Sequence, residues 1–119
     1  MGGPRRIEKP WGHEEIWAET EAYVGKILVV RKGERLSLQY HRRKEETLYL
    51  QSGRVLCSMG DQEHALTERI LMPGDVVHLP PGRRHRFQAL EDSRLFEVST
   101  PFLDDVVRLE DDYQRDSED

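Results

Sequence analysis

Residues 33–53 read Gly33-Glu34-Arg35-Leu36-Ser37-Leu38-Gln39-Tyr40-His41-Arg42-Arg43-Lys44-Glu45-Glu46-Thr47-Leu48-Tyr49-Leu50-Gln51-Ser52-Gly53. Between Arg35 and His41 polarity alternates, with Leu36, Leu38 and Tyr40 on one face and Arg35, Ser37, Gln39 and His41 on the other. That is the two-residue period of a β-strand. A second apolar run follows from Thr47 to Gln51, and Ser52-Gly53 closes it as a hairpin turn, glycine supplying the positive φ. A wholly polar strand face either lines a pocket or is the solvent side of a sheet. Polarity alone leaves both readings open.

The same texture continues outward. Segments rich in branched or aromatic residues run from Gly25 to Arg31, Arg54 to Met59, Ala65 to Leu71, Val76 to Leu79, Arg86 to Leu90 and Arg94 to Ser99. Lys32-Gly33, Gly60-Asp61, Pro73-Gly74-Asp75 and Pro80-Pro81-Gly82 separate them, and proline, which cannot donate to a ladder, marks strand ends. Short strands broken by turn residues at this spacing indicate a β-sandwich or barrel. Helical periodicity is absent until Phe102 to Leu109, which reads as a short helix or a final strand. The expectation is one all-β domain over residues 1–119, with an acidic, frayed end at 114–119.

Eighteen basic and 23 acidic side chains give a net charge of −5. The charge is uneven: residues 104–119 hold eight acids and two arginines, a balance of −6 that leaves residues 1–103 at +1. An acidic total argues against polyanionic partners, but the body of the chain is not acidic. Its basic residues lack the interleaved aromatics of a nucleic-acid interface. No apolar run reaches the length of a membrane span, and Met1 to Arg6 is not followed by the apolar stretch of a signal peptide. A single cysteine, Cys57, excludes a disulfide framework. A cytoplasmic protein with no nucleic-acid or membrane partner is expected.

Gln39, His41 and Glu46, with His85 beyond Pro80-Pro81-Gly82, offer amide oxygen, imidazole and carboxylate, a mixed donor set for a borderline divalent ion. Their spacing adds a pattern. Gly33, five residues, Gln39-x-His41, four residues, Glu46, six residues and Gly53 resembles the first motif of the cupin superfamily, with glutamine at the usual first histidine. Gly74, five residues, Pro80-x-Gly82, two residues and His85 resembles the second, with Ala89 in place of its customary asparagine. The resemblance implies a double-stranded β-helix, or jelly-roll, barrel, in agreement with the strand count. It also implies Gln39, His41, Glu46 and His85 as ligands of one divalent metal ion: zinc, nickel, cobalt, manganese or iron.

A closer resemblance spans almost the whole chain. Lys9-Pro10-Trp11-Gly12, Arg35 to His41 and Asp105-Val106-Val107-Arg108-Leu109-Glu110-Asp111-Asp112-Tyr113 are similar to the C-terminal cupin domain of type II mannose-6-phosphate isomerases. That domain is usually fused behind a mannose-1-phosphate guanylyltransferase, and glutamine at the first ligand position is usual in it. Arg43 stands where the family commonly has a third histidine, and Gln114 where a glycine often follows the tyrosine.

The resemblance implies an aldose–ketose isomerase that takes mannose 6-phosphate to fructose 6-phosphate through an enediol. Such a site needs a base, a means to stabilise the developing oxyanion and a grip on the phosphate. Glu97, in Leu95-Phe96-Glu97-Val98-Ser99, is the expected base if it faces the barrel interior; the alternative is the solvent face of an edge strand. Lys26 is the second candidate for proton transfer. Cations crowd both ligand segments, and arginine's planar fork suits phosphate. Arg35, at parity with Gln39 and His41, and Arg84, beside His85, are expected to bind it.

Trp11 and Trp17 are expected to close the barrel or build a dimer contact, and Cys57 to be an inert buried thiol. His13, His64 and His78 match no ligand position. A homodimer with a small-molecule sugar phosphate as its partner is expected. Two other readings stay open: another carbohydrate-modifying cupin enzyme, and a non-catalytic cupin that binds a sugar or metabolite.

Overall fold

In the segment Ser93–Ser99 every second residue is buried (Ser93, Leu95, Glu97 and Ser99), while Arg94, Phe96 and Val98 face outward. This alternation recurs through a computed structural model that describes residues 2–115 as eleven strands. They are β1 (Arg5–Lys9), β2 (Gly12–Glu19), β3 (Val24–Val30), β4 (Leu38–Tyr40), β5 (Glu46–Ser52), β6 (Val55–Gly60), β7 (Thr67–Leu71), β8 (Val76–Leu79), β9 (Arg84–Ala89), β10 (Ser93–Ser99) and β11 (Val107–Glu110). All pairings are antiparallel, in a six-stranded sheet of order β1-β2-β3-β10-β5-β8 and a five-stranded sheet of order β11-β4-β9-β6-β7. The fold is an all-β jelly roll. No helix among the described residues is long and apolar enough to cross a membrane.

Two strands go beyond the sequence reading. β1 carries one apolar residue among charged ones, and β2 reads Gly-His-Glu-Glu-Ile-Trp-Ala-Glu, so neither stands out by composition. Lys9 pairs with Gly12, so Pro10-Trp11 is a two-residue hairpin loop, and Trp11 folds inward to close one end of the barrel with 2% of its surface exposed. Trp17, at a bulge in β2, is 56% exposed and lies over Gly25. Phe102 to Leu109 contributes the final strand rather than a helix. Of the segment 114–119, residues 116–119 lie outside the described residues, while Arg115 is bonded to Asp111 through backbone and guanidinium.

The inward faces divide by chemistry along the strands. Leu28, Leu50 and Leu95 share one register row across β3, β10 and β5, and they pack with Val55, Cys57, Leu71 and Phe87 of the other sheet. Each such side chain contributes about 1.5–3 kcal/mol on burial. Moving along the same strands by two or four residues, the inward positions become Lys26, Glu97 and Glu46. One end of the barrel is therefore greasy and the other charged. Gly53 holds the β5–β6 hairpin at φ +93°, where a Cβ would lie 2.2 Å from Ser93 Oγ, so only glycine fits.

Strand parity fails at one place that matters for the site. Arg35 bridges Gln88 and Gln39 pairs with His85, so Leu36, Ser37 and Leu38 oppose only Arg86 and Phe87. This is a β-bulge, and it reverses the facing of every residue before it. Gln39 and His41 face the interior, but so does Leu36, and Arg35 is turned out.

Candidate functional site

His41 follows the end of β4, Glu46 opens β5 and His85 lies in β9, so both sheets contribute. All three are buried, and one donor atom from each lies within 4.8 Å of the others. Glu46 Oε1 is 3.5 Å from His41 Nε2 and 3.4 Å from His85 Nε2. Donors about 2.1 Å from a shared ion lie roughly 3.0–3.4 Å apart, so the spacing fits a divalent metal. The second nitrogens are already engaged: His41 Nδ1 lies 2.5 Å from the Asp105 carbonyl oxygen and His85 Nδ1 3.0 Å from that of Arg83. A carbonyl accepts only from N–H, so in the neutral rings Nδ1 carries the hydrogen and Nε2 keeps its lone pair for a ligand. His85 Nε2 is buried with no hydrogen-bond partner. Gln39 pairs in register with His85 and lines the same cavity.

The carboxylate of Glu46 is divided between two tasks. While Oε1 faces the imidazoles, Oε2 receives Lys44 Nζ at 2.9 Å. Lys44 also reaches Glu97 Oε2 at 3.0 Å, Lys26 stands 3.8 Å from that same oxygen, and Lys26 donates to Glu14 Oε2 at 3.2 Å. The result is an unbroken line of alternating charge, Glu46–Lys44–Glu97–Lys26–Glu14, along the charged end of the barrel. Burial works to lower the Lys44 pKa, but Glu46 and Glu97 outweigh it and hold the ammonium above the ordinary lysine value. Burial likewise works to raise Glu46, and the Lys44 ammonium leads in pulling it well below the usual carboxylate range. A charged lysine and an ionised glutamate are the states a metal site needs here.

These groups line a cavity of about 180 Å³, open at its mouth. Ile16, Leu36, Phe87 and Val106 supply apolar wall, and Arg5, Lys9, Lys26, Lys44 and Arg108 supply five cations against the carboxylates of Glu14, Glu46, Glu97 and Asp104. Glu97 does face the interior, but it is not a lone carboxylate among apolar neighbours, because Lys44 and Lys26 both lie against it.

The two expected phosphate ligands are elsewhere. Arg35, turned out by the bulge, forms a two-pronged pair with Asp112 at 2.6 and 2.9 Å, and Arg86 joins the same carboxylate at 3.1 Å. The acidic C-terminal segment thus pairs with Arg35 and Arg86. Arg84, on the outward face of β9, lies over the Tyr40 ring at 4.1 Å and donates to the Gly82 carbonyl at 2.7 Å. Neither lines the cavity. Arg43 is also exposed, stacked over Phe102 at 4.0 Å, so the position of the family's third histidine is not a ligand position. His13 and His78 lie on Glu15 and Glu45, away from the cavity.

Sequence reasoning alone does not assign Lys44, Glu14, Lys9, Asp105 or Arg108 to the site. Lys44 had a signal, since it precedes Glu46 by two residues and shares its face. Asp105 had none: its carboxylate accepts the backbone N–H groups of Arg42, Arg43 and Lys44 at 3.1, 2.7 and 2.9 Å across a separation of some sixty residues.

Comparison with known proteins agrees with this architecture. Residues 26–99 match the family model described as a cupin domain. The xanthan biosynthesis protein XanB of Xanthomonas campestris pv. campestris is 32% identical over 116 residues, covering 93% of this chain and 24% of that protein. Mannose-1-phosphate guanylyltransferase ManC of Salmonella typhimurium is 31% identical over 119 residues, covering 93% of this chain and 23% of the relative. The chain thus spans about a quarter of the length of these relatives. Among solved structures, KdgF from Halomonas sp. superposes with a TM-score of 0.72 at 22% identity, over 82% of this chain and 86% of that one. Oxalate decarboxylase from Bacillus subtilis does so with a TM-score of 0.75 at 17% identity, over 89% of this chain and 30% of that one. At such identity the structural likeness shows the fold.

Proposed function

The chain belongs to the cupin family, and on that premise we propose that it is a metal-dependent sugar-phosphate isomerase of the mannose 6-phosphate to fructose 6-phosphate type, working through an enediol. The observation that carries this reading is the joining of a buried His41/Glu46/His85 donor set to the line of alternating charge through Glu97 and Lys26, in one open cavity. Relatives named for mannose-1-phosphate guanylyl transfer support a phosphorylated mannose as the substrate class.

Isomerisation moves one proton between C1 and C2, and the oxygens on those carbons gain and lose negative charge as it moves. Glu97 is the carboxylate placed to take and return that proton, because it lines the cavity and two ammonium groups fix its orientation. Lys26, held by Glu14 and Glu97, presents a cation where charge develops on the sugar oxygens. His41, Glu46 and His85, with Gln39 beside them, would hold a divalent ion, which supplies Lewis-acid polarisation of the sugar oxygens when bound. Lys44 keeps Glu46 Oε2 engaged and so leaves Oε1 facing the imidazoles.

The test is metal analysis of the purified chain, followed by a coupled mannose 6-phosphate to fructose 6-phosphate assay with each of the five candidate ions. About one ion per chain and turnover with at least one of them is expected, with the ion lost in His41→Ala and His85→Ala. A bound metal without turnover on any hexose phosphate would replace this reading with the non-catalytic one. Full metal content in both variants would remove the site itself.

A further inference from the structure

A smaller recess adjoins the main cavity and shares Lys9, Glu14, Leu36, Gln39 and Arg108 with it. Its remaining wall includes Ser37, Trp11 and Arg115. We propose that this recess is the seat of the substrate's phosphate group, with the Lys9 ammonium, the Ser37 hydroxyl and the Arg108 guanidinium as its donors. The proposal deepens the isomerase reading and rests on it for the sugar, though not for the anion.

Three observations carry it. Ser37 is 1% exposed, lines the recess, and its Oγ has no hydrogen-bond partner. A buried hydroxyl without a partner costs roughly 1–3 kcal/mol, and an anion oxygen in the recess would remove that cost. Ser37 stays on the inward side with Gln39, while the bulge turns Arg35 out and brings Leu36 in beside it.

The second observation is the distribution of charge. Lys26 and Lys44 are saturated by the carboxylates of Glu14, Glu97 and Glu46. Arg115 is likewise held by Asp111. Glu14 attracts Lys9, but its Oε2 is already bonded to Lys26. Burial, followed by the nearby Lys26, Arg115 and Arg108, lowers the Lys9 pKa despite Glu14. Among the described residues, Lys9, Arg108 and Arg115 line this recess against one carboxylate, Glu14, and a cationic lining of that kind suits a phosphate.

The third is reach. Arg108 pairs with Gln39, and Gln39 pairs with His85, so the three side chains form one transverse row. Residues two strands apart are separated by roughly 9–10 Å. A six-carbon chain with a terminal phosphate spans that gap, placing C1 and C2 beside the His41/Glu46/His85 donors and the phosphate beside Arg108.

The experiment uses the metal-loaded full chain and calorimetric titration with three probes: mannose 6-phosphate, unphosphorylated mannose and inorganic phosphate. Lys9→Met is expected to weaken mannose 6-phosphate and inorganic phosphate by roughly tenfold or more, and Ser37→Ala by several-fold. Lys9→Arg is expected to restore most of the affinity, while metal content and mannose binding stay unchanged in all three. If mannose 6-phosphate binds the unaltered chain and neither Lys9→Met nor Ser37→Ala weakens it, the recess is not the phosphate seat, and the isomerase reading survives. If inorganic phosphate binds and depends on both residues while no hexose phosphate is isomerised, the seat stands and the isomerase reading falls. If the unaltered chain binds neither phosphate probe, both are overturned.

Discussion

Lys44 Nζ lies 2.9 Å from Glu46 Oε2, and the other oxygen of that carboxylate, Oε1, faces the Nε2 atoms of His41 and His85. The two residues are two positions apart on adjoining inward places of one strand edge. The lysine therefore does for one oxygen what the metal would do for the other, and it links the donor set to Glu97.

Lys44→Met leaves Glu46 and Glu97 buried beside each other without their shared ammonium. Breaking a buried pair in this way costs about 3–5 kcal/mol, so urea unfolding of the metal-free chain should show a loss of that size. Lys44→Met combined with Glu97→Gln should recover part of it. The Lys44 pKa is raised above the ordinary lysine value of 10.5, so its contribution is whole below that value and is lost only as pH rises through the higher folded one. A single variant within 1 kcal/mol of the unaltered chain would show that the ion-pair line is not structural.

Asp105 positions His41 with its carbonyl and ties down residues 42–44 with its carboxylate. Asp105→Ala keeps the carbonyl that meets His41 but frees residues 42–44, which join His41 to Glu46, and should weaken divalent-metal affinity by up to about tenfold. Burial works to raise its pKa, and the three N–H donors hold it below the ordinary aspartate value of 3.8. Its stabilising effect is therefore present above that value and is lost as pH falls through the lower folded one. The unaltered chain should be more stable than Asp105→Asn at neutral pH, and the gap should close as pH falls through that acid range; a gap that is absent at neutral pH or persists in acid would contradict this account.

Arg35→Ala and Arg84→Ala test the displacement of phosphate binding from these residues. Both should leave mannose 6-phosphate affinity within about twofold of the unaltered chain, since neither side chain lines the cavity. Arg35 and Asp112 are each about two-fifths exposed, so losing that pair should cost only about 0–1 kcal/mol. A tenfold loss of affinity in Arg35→Ala would restore the expectation drawn from parity.

Gln114 has φ +57°, and among the described residues it is the one non-glycine with positive φ. An L side chain in that region costs about 1–2 kcal/mol relative to glycine, part of which glycine returns as unfolded-state entropy. Gln114→Gly should raise stability by about 0.5–1 kcal/mol, visible as a higher thermal midpoint. An unchanged or lower midpoint would show that Gln114 is not strained.

Cys57 is fully buried, and desolvation pushes its thiol up to about 11, against the pull of Arg69. The thiolate is the reactive form and is scarce at pH 8, so a thiol reagent should label the native chain slowly and the urea-unfolded chain fully. Rapid labelling of the native chain would contradict the burial.

Much of the fold was legible because alternation and turn residues are local signals. The strands β3, β5, β8 and β10 emerge from branched residues between glycine and proline turns, and His41, Glu46 and His85 stand at motif spacings that the structure brings within 4.8 Å. β1 and β2 were hidden because their inward faces include charged residues, Lys9 and Glu14 among them. Their polarity is a property of the cavity they line, not of solvent.

The sequence by itself determined an all-β chain, since alternation and turn residues are local, and, through motif spacing, the residues able to form a donor set; it left the facing of Glu97 in β10 open. What only the tertiary structure decided was the electrostatic role of each charge. A single bulge between Arg35 and Gln39 exchanged an arginine for Leu36 in the wall, and Asp112, far along the chain, claimed the arginine that was turned out. Parity is a local rule, but a bulge is visible only in pairing with another strand, and a counter-charge can come from anywhere in the chain.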